Sequence, residues 1–141
     1  MRPLALLCVA LLAGCGSYTP ESDGYYAPDP GTSNGPAGTG KIGILWTLNS
    51  APPTAESCAN VAQLILTLDY GNGRVTISPI PCSAGRLRYD RLPEGAANII
   101  LEGYDAQRCR THLGVAKNVE ITATVPDPFS PTIALLPKSC R

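Results

Sequence analysis

VAQLILTLDYGNGRVTI, residues 61–77, alternates apolar with polar side chains on both sides of a turn. Ala62, Leu64, Leu66 and Leu68 fall on one face of an extended chain, and Val75 and Ile77 resume the alternation after residues 69–73 (DYGNG). A period of two with glycines at the reversal predicts a β-hairpin. The same period runs outward in both directions. Ile42, Ile44, Trp46 and Leu48 share a face in residues 41–49 (KIGILWTLN). Shorter alternations follow at Leu87 and Tyr89, at Ala97, Ile99 and Leu101, at Val119, Ile121 and Ala123, and at Ile133 and Leu135. Turn residues separate them at 83–85 (SAG), 93–95 (PEG), Gly114 and 126–128 (PDP). Only Pro53 to Asn60 has the composition of a helical turn. No period of 20–50 residues repeats. The expected fold is all-β: a single antiparallel β-sandwich of seven or eight strands over residues 41–141.

Within it, residues 89–105 (YDRLPEGAANIILEGYD) resemble the carboxypeptidase-regulatory-like, or prealbumin-like, β-sandwich domains. In those domains one strand ends in Leu-Pro-x-Gly and the next closes with Gly-Tyr. Leu92, Pro93, Gly95, Gly103 and Tyr104 match, while Ala97 stands where the family carries an aromatic. The resemblance implies an immunoglobulin-like sandwich without catalysis of its own.

Residues 1–14 read as a leader. Met1 and Arg2 precede a nine-residue apolar run from Leu4 to Leu12, too short to cross a ~30 Å hydrocarbon core as a helix. Residues 12–15 (LAGC) resemble the bacterial lipobox at every position. That resemblance implies cleavage after Gly14, diacylglycerol on the Cys15 thiol and an acyl chain on the new amino terminus. Several chains on one residue make a durable anchor where a single chain is marginal. Gly16, rather than Asp, follows the cysteine, which by the sorting rule of enteric bacteria directs the protein to the outer membrane. Residues 15–40 are then a tether. Gly, Pro, Ser and Thr supply 16 of the 25 residues after Cys15, and Leu, Ile, Val, Met, Phe and Trp supply none. Such a segment cannot offset its ordering entropy by apolar burial.

The tether's end mimics phosphate-binding loops. Residues 35–42 (GPAGTGKI) fit GxxxxGK[ST] except at Ile42, and residues 38–43 (GTGKIG) fit GxGxxG. Both motifs need a strand before the loop and a helix after it. Here a strand follows, so no nucleotide is expected.

Of six cysteines, Cys8 leaves with the leader and Cys15 carries lipid. Cys58, Cys82, Cys109 and Cys140 remain, an even number in an oxidising compartment. They admit three connectivities, of which Cys58–Cys82 with Cys109–Cys140 ties loops and termini beside neighbouring strands. The alternative use of four thiolates is zinc, but no CxxC pair is present. No metal or other cofactor is expected.

Nothing marks a catalytic centre. His112 is the one histidine, and its neighbours Arg108 and Arg110 would depress its basicity. The carboxylates Asp90, Glu94, Glu102, Asp105 and Glu120 fall in turns or on outward faces. Eleven basic residues balance eleven acidic ones, which points to no nucleic-acid partner. Residues 86–91 (RLRYDR) and 108–110 (RCR) are local basic stretches. The chain is therefore expected to be a membrane-anchored, non-enzymatic envelope lipoprotein with a structural or protein-interaction role. The alternative is a carbohydrate-binding module, which requires Tyr70, Tyr104 and Phe129 to form one exposed platform.

Overall fold

The computed structural model describes residues 38–124 and 130–140, which form an all-β domain. Its strands are β1 (Gly40–Leu48), β2 (Gln63–Asp69), β3 (Arg74–Ile80), β4 (Arg86–Leu92), β5 (Gly95–Tyr104), β6 (Arg110–Ile121) and β7 (Thr132–Pro137). The leader 1–14, Cys15 and tether residues 16–37 lie outside the described residues, as does Phe129. β1 begins at Gly40, one residue before the boundary expected at Lys41. Gly38 already belongs to the domain, its N–H donating to the Arg91 carbonyl at 3.1 Å.

All seven strands join in one sheet, ordered β3-β2-β5-β6-β7-β1-β4 and curved nearly into a barrel. Two separate sheets were the expectation. They merge because β7 serves both sides. Residues 132–135 pair with β1, whereas Leu136 and Pro137 pair with Leu113 and His112 of β6. The β1–β7 pairing is parallel, an exception to the antiparallel rule of the remaining ladders. Bridges from Lys41 to Thr122 and from Gly43 to Ser130 tie the start of β1 to the same seam.

The alternating residues converge inside. Trp46, Leu64, Leu66, Leu68, Ile77, Leu87, Ile99, Leu101 and Leu135 are all buried in one cluster, and among the described residues no charged or polar one shares it. Gly114, expected in a turn, instead sits inside β6. A Cβ there would stand 2.5 Å from Ile133 Cγ2 and 2.7 Å from the Ala134 carbonyl oxygen. Glycine is needed because β7 crosses against β6 at this point as it leaves β1 to pair with β6. The β4–β5 turn follows the sequence reading, with Gly95 at φ 122°, where side-chain-bearing residues rarely go.

Within the Pro53–Asn60 stretch expected to be a helical turn, residues 55–60 form hydrogen-bonded turns and no helix. Thr54 Oγ1 accepts from the Ser57 N–H at 3.1 Å, and Ser57 Oγ accepts from the Thr54 N–H at 2.8 Å. This reciprocal cap offsets the lost backbone partners of a single turn. The two open edges, β3 and β4, are poor templates for a further strand. β3 carries Pro79 at a bulge, and β4 carries Arg86, Arg88, Asp90 and Arg91. Proline and charge on an edge oppose strand addition.

Candidate functional site

The two ends of the sheet differ. At one lie the β2–β3 turn, the β4–β5 turn and the entry of β1. Tyr70 is half-buried there, its hydroxyl donating to the Pro93 carbonyl at 2.9 Å, and Thr39 Oγ1 donates to Glu94 Oε1. Burial pushes the Tyr70 hydroxyl pKa up. Asp69 is held below the usual carboxylate range by the Gly71 N–H and by Arg74, whose Nη2 stands 2.9 Å from Oδ2. A cleft of about 460 Å³ runs between the two turns, beside Tyr70, Asn72, Arg74 and Glu94.

The other end carries the cysteines. Cys58 and Cys82 stand at disulfide distance, Cα to Cα 5.8 Å, as do Cys109 and Cys140 at 5.9 Å. They come together in the expected pairs. Cys58 and Cys82 are 8% and 4% exposed, inside the core. The pair Cys109 and Cys140 lies at the surface, in a cleft of about 530 Å³ shared with Tyr104, Arg108, Arg110 and Lys138. Asp105 shapes that loop by accepting the N–H groups of Gln107 at 2.9 Å and Cys109 at 2.8 Å. The basic stretches 86–91 and 108–110 do not merge, since β7 and β1 lie between β6 and β4.

The residues considered for catalysis stay dispersed. Glu102 is bound by Arg110 Nη1 at 2.7 Å, which raises the arginine's pKa, and also accepts from the Tyr104 hydroxyl at 3.3 Å. Asp90 and Glu120 are exposed on other strands. His112 is half-buried on β6, its Nδ1 3.0 Å from Thr111 Oγ1. Its pKa is lowered, as expected, but burial and not the neighbouring arginines is the cause. The folded state therefore prefers neutral imidazole, and the unfolded chain binds the proton more readily. Stability is expected to fall as pH drops through about 6.5, the unfolded value, towards the lower folded one. Denaturant midpoints between pH 5 and 8 should show this slope in the native chain and lose it in His112→Gln.

The tyrosines do not assemble a sugar platform. Gln63 pairs with Tyr104 and Asp69 with Asn98, so Tyr70 and Tyr104 lie at opposite ends of the β2–β5 ladder, ~20 Å apart at ~3.4 Å per residue.

What the register does assemble is an apolar outer face. Ile65 of β2 lies opposite Glu102 of β5, Glu102 opposite Leu113 of β6, and Leu113 opposite Leu136 of β7. In the next outward row, Thr67 faces Ile100 and Ile100 faces Val115. Ile65, Ile100, Leu113, Val115 and Leu136 thus line one solvent-side surface, with the Glu102–Arg110 pair among them. Val115 and Leu136 are 49% and 54% exposed, the large apolar side chains most open to water among the described residues. The period-two reading passed over them because it assigns one apolar face per strand. The available signal was the unbroken apolar runs Leu64-Ile65-Leu66, Ile99-Ile100-Leu101 and Leu135-Leu136, which give a strand two apolar faces. The chain matches no protein-family model, no curated protein and no solved structure.

Proposed function

We propose that this chain is an envelope lipoprotein, held to the membrane by lipid on Cys15, whose β domain docks a partner protein through its outer apolar face and performs no catalysis. The observation that carries the reading is the exposure of Val115 and Leu136 beside Leu113, Ile100 and Ile65 on adjoining strands. Water-exposed apolar clusters of this kind, with a charged pair beside them, mark protein-interaction surfaces. The lipobox supports the anchor. The domain's first described residues, Gly38 and Thr39, pack beside Arg91 and Glu94. We read the curved sheet as a prealbumin-like sandwich whose halves share β7. Supporting this, Leu92, Pro93 and Gly95 make the β4–β5 turn, and Gly103 and Tyr104 end β5.

The test is the size of the detergent-solubilised native chain. The wild type should sediment as a complex, and Val115→Glu with Leu136→Glu should reduce it to a folded monomer. Both sites already face water, so stability should change by less than ~0.5 kcal/mol. Cys15→Ser should leave the chain unlipidated and uncleaved after Gly14. A complex unchanged by the two charges contradicts the docking face, and a Cys15→Ser chain that is still processed and membrane-bound contradicts the anchor.

A further inference from the structure

The two cysteine pairs occupy opposite chemical environments. Cys58 and Cys82 are sealed in the core, where the Trp46 indole N–H donates to the Cys82 carbonyl at 2.9 Å. No attacking thiolate reaches them without opening the domain. Cys140 is exposed and Cys109 half-buried, and the cleft of about 530 Å³ leads to them. Three cations, Arg108, Arg110 and Lys138, line that cleft. One of them, Arg110, is paired with Glu102, and Asp105 already receives two backbone N–H groups. Arg108 is held at φ 63° in the turn that Asp105 closes, adjacent in sequence to Cys109. The tail beyond β7 adds little of its own. Besides the bridge it is held by the Lys138 N–H, which donates to the Thr111 carbonyl at 2.7 Å.

We propose that the Cys109–Cys140 bridge is a redox modification site, opened by a dithiol reductant that its cationic cleft draws in, while Cys58–Cys82 stays closed. Disulfide exchange proceeds by thiolate attack, and positive charge favours both the incoming thiolate and the departing one. The reductant's thiolate attacks Cys140 Sγ, forming a mixed disulfide and breaking the bond to Cys109. Cys109 leaves as a thiolate between Arg108 and Arg110 and takes up a proton. The reductant's second thiol, deprotonated, attacks its own sulfur in the mixed disulfide and releases Cys140, which is protonated in turn. The dithiol is oxidised to its cyclic disulfide, and the protein gains two thiols and loses one S–S bond. Residues 138–140 are thereby freed from the 105–109 loop. This inference is independent of the docking face.

The test treats the full chain with dithiothreitol under native conditions, quenches by alkylation and reads each cysteine by peptide mass. Cys109 and Cys140 should be alkylated ~100-fold faster than Cys58 and Cys82, with the backbone amide spectrum of residues 40–121 retained. Arg108→Gln with Lys138→Gln should slow the dithiothreitol reaction about threefold or more at low ionic strength. Reduction by a neutral phosphine, which keeps the departing thiolate but not the incoming one, should be slowed less by those changes. Opening of both pairs at one rate, or a dithiothreitol rate indifferent to the two cations, would overturn the proposal.

Discussion

Gly114→Ala is expected to destabilise the domain by about 3 kcal/mol, the upper end for overpacking at a site with nowhere to relax. The added methyl would lie 2.5 Å from Ile133 Cγ2 and 2.7 Å from the Ala134 carbonyl oxygen. Ile133 is buried and Ala134 is backbone-paired to Thr47, so neither is the free end of a flexible side chain. Relief requires moving β7 away from β6, which loosens the strand that joins both sides of the sheet. Gly73→Ala is the control, because nothing stands within 4 Å of a Cβ there. It should change stability by less than ~0.5 kcal/mol. Urea unfolding of both variants checks the pair. Equal effects would mean that β7 does not cross β6 at Gly114.

Trp46→Ala is expected to cost about 4 kcal/mol. The indole is 2% exposed, and its N–H serves the Cys82 carbonyl from the middle of β1, the strand between β4 and β7. Domains of this size have ~5–15 kcal/mol in total, so the variant should lose a large share of its stability. With a urea slope of ~1–2 kcal/mol/M, its midpoint should fall by about 2 M or more. Trp46→Phe separates the two contributions. It keeps most of the apolar volume but leaves the buried carbonyl unpaired, a loss of about 1–3 kcal/mol. The Cys58–Cys82 bridge supports wild type and variants alike and leaves both differences unchanged. Its 24-residue separation contributes roughly 3.5 kcal/mol by restricting the unfolded chain.

The strands were legible because burial on one face imposes a period of two. Leu64, Leu66 and Leu68 announce β2, and Ile42, Ile44, Trp46 and Leu48 announce β1, wherever their partners lie. Strand order was not legible, because pairing depends on residues far apart in the chain. Nothing local to Thr132–Leu135 says that β7 runs parallel to β1 before turning to β6. Gly114 shows the same limit. Its lack of a side chain reads as a turn in isolation and as a strand crossing once Ile133 is placed beside it. Of three connectivities the favoured one, Cys58–Cys82 with Cys109–Cys140, is the one whose cysteines the strand ends bring to disulfide distance. The outer apolar face was half legible, since the apolar runs at 64–66 and 99–101 are plain, but their outward members join only through the register.

The outer face around Val115 is proposed to meet another protein. The most direct measurement places a photo-activated cross-linking residue at Val115 in the native envelope, with a second version at Asp90 on the β4 edge as reference. A discrete, higher-mass adduct is expected from position 115, lost when Leu136 is changed to Glu, and none of that mass from position 90. Adducts equal at both positions, or none at 115 while the chain is folded and anchored, would contradict it.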